Sequence, residues 1–270
     1  LFPGMDLIQK DEQQDRRLIP YTSFAKKSLF YETQVQTQID RLAELLDKDR
    51  FTQVTQRLSE SGMRKGFACL FYGSPGTGKT ETVNQLARIT GRDVMLVDVT
   101  KIKSCWVGES EQNIKKLFDN YRSYVKKSEV APILLFNEAD AILGIRQESA
   151  ERAVDKMENS IQNIILQEME SLEGIMIATT NLTSNLDKAF ERRFIYKIEF
   201  KRPSVEAKQM IWKSMIPSLS DETALSLAKG YDLSGGQIEN IARKCTVEYI
   251  ISGNEPSNAQ MIEFCESETM

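Results

Sequence analysis

Gly73-Ser74-Pro75-Gly76-Thr77-Gly78-Lys79-Thr80 is the stretch from which the fold is read. Its pattern is G-x-x-x-x-G-K-T. Phe67-Ala68-Cys69-Leu70-Phe71-Tyr72, just before it, is an apolar run of strand length. Glu81-Thr82-Val83-Asn84-Gln85-Leu86-Ala87-Arg88, just after it, opens a helix. Strand, Gly-rich loop and helix are the setting in which such a loop wraps phosphates. Glycines let the backbone close around an anion with its N–H groups inward. The helix start adds its positive dipole end. Lys79 supplies a point charge for terminal phosphates, and Thr80 a hydroxyl for Mg²⁺. Contacts to a bound nucleotide are therefore expected from Ser74, Pro75, Gly76, Thr77, Gly78, Lys79, Thr80 and Glu81.

Working outward, further apolar runs of strand length lie at residues 93–99, 131–136 and 174–179. A weaker alternating one lies at 196–200. Helical spacing separates them, over 110–126 and through Ile161, Ile164, Ile165, Met169 and Leu172. Strands alternating with helices predict a parallel sheet covered on both faces. Residues 30–58 carry apolar positions at helical spacing: Val35, Ile39, Leu42, Leu45 and Leu46. Leu29-Phe30-Tyr31 ahead of them suit either contact with a nucleotide base or a plain core role. After Lys201-Arg202-Pro203 only helices are expected, over 205–215, 221–229 and 237–251, with a last short one starting near Ser257. On the third, Ile238, Ile241, Ala242, Cys245 and Tyr249 share one face. The expectation is an α/β fold of the P-loop kind, a parallel five-stranded sheet between helices, followed by a small all-α lid. The boundaries read as 1–28, a polar linker or exposed segment; 29–202, the nucleotide-binding domain; and 203–270, the lid.

Composition narrows the chemistry. The 270 residues are 41% hydrophobic and 27% charged, as in soluble globular proteins, with a net charge of −4. That balance disfavours a broad nucleic-acid surface. No run approaches the ~20 apolar residues of a membrane span, and no signal peptide is visible. The four cysteines are scattered without metal-ligand spacing, which fits a reducing, cytoplasmic setting. There is no histidine, so Ser-His and Cys-His nucleophiles and His-ligated zinc are excluded.

A second layer of polar residues follows the strands. The run at 131–136 ends in Asn137-Glu138-Ala139-Asp140. A carboxylate at a strand's C-terminal edge can activate a water, a role that suits Glu138. Asn137 can accept from a Mg²⁺-bound water but brings no charge, so weaker metal binding is expected. The run at 174–179 ends in Thr179-Thr180-Asn181, and an amide there can bond a γ-phosphate. Arg192-Arg193 are either surface charge or an arginine finger.

In order, Gly73–Thr80, Trp106-Val107-Gly108-Glu109-Ser110-Glu111, Leu135–Asp140, Ala178–Asn181 and 189–194 (Ala-Phe-Glu-Arg-Arg-Phe) resemble the AAA family of ATPases. The likeness runs over about residues 28–251. It implies ATP and Mg²⁺ as cofactors and assembly with other copies into a ring, usually a hexamer. It implies that Glu138 activates water and Asn181 senses the γ-phosphate. Arg192 and Arg193 match the finger positions with the gap between them deleted, so either is a candidate. Gly235-Gly236-Gln237 matches the lid segment near base and phosphates, which adds Gly236 to the nucleotide contacts. Trp106 and Val107 fall where the family's pore loop grips an extended polypeptide, as in a protein unfoldase; the polar neighbours of Trp106 favour that over a core tryptophan. Two readings compete with the ATPase motor: a regulatory nucleotide-binding module with little turnover, motivated by Asn137, and a DNA-associated motor of the wider superfamily.

Overall fold

The computed structural model describes residues 18–99, 110–145 and 153–269. In chain order these form β1 (Leu18–Ile19), α1 (Thr33–Leu45), α2 (Lys48–Glu60), β2 (Phe67–Gly73), α3 (Lys79–Thr90) and β3 (Val94–Asp98). There follow α4 (Ser110–Lys127), β4 (Ile133–Asn137), α5 (Asp140–Leu143), α6 (Ala153–Glu170), β5 (Ile175–Thr180), α7 (Lys188–Glu191) and β6 (Tyr196–Phe200). Four helices close the chain: α8 (Val205–Met215), α9 (Asp221–Gly230), α10 (Gly235–Ser252) and α11 (Asn258–Thr269).

The strands form one sheet in the order β1-β3-β4-β5-β2-β6. The pairs β3–β4, β4–β5 and β5–β2 are parallel. The sequence predicts five strands and the sheet has six. The addition is β1, antiparallel on β3 through Leu18↔Met95 and Ile19↔Val94. Two residues raise no alternating pattern, and Pro20 stops the ladder because it has no N–H to donate. So residues 18–28, expected as exposed linker, are partly tied down. The Tyr21 N–H donates to Asp93 (3.0 Å), and the carbonyls of Phe24 and Ala25 accept from Arg88 and Gln85.

The chain divides into two compact units. The first takes residues up to Lys26, Arg41–Tyr72 and Thr80–Ile198. Successive strand side chains point to opposite faces, and here both sets are buried. Ala68, Leu70, Leu134, Phe136, Met176 and Ala178 join Ile114, Phe118, Ile161 and Ile165 of α4 and α6 in one core. Cys69, Phe71, Ile133, Leu135, Ile175 and Ile177 are buried with the other parity. Each such aliphatic side chain contributes roughly 1.5–3 kcal/mol on burial, so the sheet is secured from both sides. Burial also pushes the Cys69 thiol to about 12, which makes it a packing group. Two polar side chains tie loops to this core. Buried Arg92 donates to the carbonyls of Leu46 (2.8 Å) and Ala131 (2.6 Å) and lies over the Phe51 ring at 4.7 Å. Desolvation lowers its pKa to about 10. The Tyr121 hydroxyl accepts from the Ile175 N–H at 2.7 Å and lies 2.9 Å from the Pro132 carbonyl, bridging the starts of β4 and β5.

The second unit takes Lys27–Asp40, Gly73–Lys79 and the chain from Glu199 on. Its helices begin at serines. Ser204, Ser220 and Ser234 accept from the N–H three residues on, and Ser234 forms a full capping box with Gln237. Ser257 does the same ahead of α11 with Gln260. Trp212, Ala224, Leu227, Ile238, Ile241, Cys245 and Met261 form its core. Tyr249, expected on the same face of α10, is half exposed because that helix runs on past this core.

Candidate active site

The phosphate loop leads from β2 into α3. Gly73 has φ +133, and a Cβ there would stand 2.2 Å from the Phe200 carbonyl, so only glycine fits. Gly76 has φ +71, and a Cβ there would meet the Ser234 hydroxyl at 2.6 Å. The Gly236 N–H donates to the Gly76 carbonyl at 2.9 Å, a contact with the loop itself. The Thr77 hydroxyl donates to the Ser74 carbonyl at 2.8 Å. Lys79 is buried, 8% exposed, and its ammonium donates to the Gly73 and Ser74 carbonyls at 2.8 Å each. Main-chain carbonyls therefore accept the bonds that hold both the curve of the loop and its cation.

A small cavity in the same unit is lined by Phe30, Tyr31, Val35, Thr77, Phe200, Pro203, Ile211 and Gly235, among others. The Tyr31 and Phe200 rings meet edge to face at 6.0 Å. Phe30 and Tyr31 line this cavity beside Thr77, which leaves both readings, base contact and core, open. Phe200 and Ile211 were invisible as lining residues. Nothing in a strand end or a helix face signals that it borders a loop more than 120 residues earlier.

In the first unit the ends of β4 and β5 carry the polar cluster. The register Phe136↔Ala178 sets Asn137 beside Thr179. The Thr80 hydroxyl donates to Asn137 Oδ1 at 2.7 Å, and the Thr179 hydroxyl donates to the same oxygen at 2.9 Å. An amide oxygen has two lone pairs, and both are engaged. The expectation that Asn137 accepts from a metal-bound water thus meets a filled acceptor, while its other terminal atom is a donor. Glu138 is exposed and follows at φ +52, in the left-handed region that bulky residues avoid. Asp140 Oδ1 accepts from the Asn181 N–H at 2.8 Å and from the Thr180 hydroxyl. Its Oδ2 accepts from the Asn181 amide at 3.4 Å. Glu81 accepts from Gln85 within α3 at 2.8 Å.

The two arginines differ. Arg193 donates to the carbonyls of Leu166 (3.2 Å) and Ala189 (2.8 Å) and pairs with Glu170. Arg192 caps α7 through its backbone and is exposed. Trp106 and Val107 lie outside the described residues.

The loop suits an anion: Gly73 and Gly76 occupy positions a side chain would block, and the Lys79 cation lies on it. Among the described residues no group of three or more His, Cys, Asp or Glu side chains could hold a metal.

Residues 69–202, from the loop strand through the last strand, match the model for the ATPase family associated with various cellular activities (AAA). The chain carries an AAA-family ATPase domain. Among curated relatives, Protein CdcH of Halobacterium salinarum is 29% identical over 77% of this chain and 28% of its own length. Cell division protein C of Sulfolobus acidocaldarius is 28% identical over 61% of this chain and 46% of its own. A ribosome biogenesis ATPase of Saccharomyces cerevisiae is 30% identical over 65% of this chain and 21% of its own. The chain thus spans less than half the length of each. Among its described residues, no helix is long and apolar enough to cross a membrane.

Proposed function

We propose that this AAA domain hydrolyses ATP in a ring, usually of six copies, and uses the cycle to remodel or unfold polypeptide substrates. The observation that carries the reading is the 2.7 Å bond from Thr80 to Asn137. It ties the motif's last residue to Asn137, the end of β4, which Glu138 follows. Lys79 and the loop N–H groups hold the phosphates, and Phe30 and Tyr31 offer apolar contact toward the base. Mg²⁺, when bound, draws charge from the phosphoryl oxygens. Thr80 offers it a hydroxyl oxygen while donating its proton to Asn137. Glu138 accepts the proton of the attacking water, and Asn181 orients that water and the γ-phosphate. Trp106 and Val107 would grip the polypeptide, as the resemblance implies.

Phosphate release by the parent and by Glu138→Gln tests this. The variant is expected to bind ATP normally and turn over about 100-fold more slowly, the scale of a lost general base. Equal rates would remove Glu138 from the role. Arg193 is committed to α6, so Arg192 is assigned as the finger, acting on the ATP of a neighbouring copy. Arg192→Ala should keep ATP binding and lose about 10³-fold in turnover. Mixing it with Lys79→Ala should restore part of the rate, because some interfaces then pair an intact loop with an intact finger. A mixture that stays inactive would sink the shared site. A second reading, a low-turnover regulatory module, is supported by the filled oxygen and missing charge at Asn137. A parent releasing phosphate no faster than Glu138→Gln would favour it.

A further inference from the structure

The AAA domain's turn after β4 must hold a carboxylate in an unusual backbone conformation. Glu138 has φ +52, and such a geometry in a non-glycine residue persists only where its surroundings impose it. One residue supplies that restraint. Thr179 accepts the Glu138 N–H on its hydroxyl at 3.0 Å and the Ala139 N–H on its carbonyl at 2.8 Å. Two successive amides of the turn are thus clamped by one residue of the neighbouring strand, and this sets the direction in which the Glu138 side chain leaves the backbone. Thr179 is only 2% exposed, so its hydroxyl depends on internal partners, and its proton goes to Asn137 Oδ1.

We propose that Thr179 is a positioning residue for Glu138, acting on catalysis through its hydroxyl and not through its methyl group. The proposal rests on the ATPase reading above. Thr80 keeps its own bond to Asn137 when the Thr179 hydroxyl is removed, so nucleotide and metal binding should be spared and the water-activating carboxylate disturbed.

Thr179→Val keeps the size and the β-branch and removes the hydroxyl. Its kcat is expected to fall about 10-fold with KM for ATP within twofold of the parent, and Thr179→Ser should return kcat to within twofold. A merely structural role would move thermal stability without this split and without rescue by serine. Should the valine protein not fold, Thr179→Ala takes its place with the same expectation. Amide hydrogen exchange at Glu138 gives a readout independent of turnover: faster in the valine variant and normal in the serine variant, with the rest of β4 and β5 unchanged. Parental kcat in Thr179→Val, a serine variant as slow as valine, or unaltered exchange at Glu138 would each overturn the proposal. Glu138→Gln run in parallel separates the two layers. If it turns over like the parent, the ATPase role of Glu138 has failed, and exchange at Glu138 alone then decides what Thr179 does.

Discussion

The bonds of the loop Gly73–Lys79 end on main-chain carbonyls, whereas those of the strand ends at Asn137 and Thr180 end mostly on side-chain oxygens. In the loop, Lys79 lies on two carbonyls and Gly236 donates to a third. At the strand ends, Thr80, Thr179, Thr180 and Asp140 supply the bonds from hydroxyl and carboxylate groups. The difference separates two sensitivities. A region held by its backbone should yield to any added Cβ, whatever its polarity. A region held by side chains should tolerate changes of shape and fail when a single donor or acceptor changes type.

The hardest test of the first half is Gly73→Ala. Its Cβ would face the Phe200 carbonyl at 2.2 Å with φ at +133, so the loop must open. ATP affinity should drop by about 100-fold or more, the equivalent of losing one or two charge-assisted contacts at roughly 1.5–3 kcal/mol each. Calorimetry measures it. An alanine variant that binds like the parent would show the loop to be far softer than its bonds suggest.

The second half predicts a smaller, purely polar effect at Asp140. Asp140→Asn keeps the shape and the start of α5 but turns one acceptor oxygen into a donor facing the Asn181 amide. Turnover should fall about 10-fold, the lower end of a hydrogen bond to a charged group, with ATP affinity unchanged. An equal fall in affinity would mean that the strand ends also hold nucleotide, and the contrast with the loop would blur.

The same contrast explains what was legible in the sequence. The phosphate loop is contiguous, so G-x-x-x-x-G-K-T and its flanks disclosed it whole. Helices α8 and α9 were read over nearly their observed spans, and α11 was read from Ser257 as its N-cap. The side-chain-held region is assembled by register. Whether Thr179 or Thr180 meets Asn137 depends on β4 and β5 being aligned Phe136↔Ala178, which no local pattern encodes. Arg192 and Arg193 are indistinguishable in sequence, and what tells them apart includes Leu166 and Glu170, more than 20 residues earlier. β1 was missed because two residues cannot carry a period, and the exposure of Tyr249 was not legible because spacing does not report where a core ends.

The smallest expected effect sharpens the comparison most, because it alters charge at the strand end without touching a bond already made. In Asn137→Asp the oxygen that accepts from Thr80 and Thr179 is retained. The amide nitrogen, a donor, becomes a second acceptor with negative charge. A water on Mg²⁺ then has somewhere to donate, which the filled Asn137 oxygen denies it. The Mg²⁺ concentration giving half-maximal phosphate release should fall a few-fold and the maximal rate should rise, by about 2–10-fold for roughly one added hydrogen bond to a charged group in a half-exposed setting. Without metal the variant gains nothing, since the new charge has no cation to face among the groups bonded to Asn137. Magnesium titrations of parent and variant, each at saturating ATP, check this. If both need the same Mg²⁺, the metal is held by Thr80 and the phosphates alone. Asn137 is then a structural anchor for two hydroxyls, and the strand end contributes position to the site but no metal affinity.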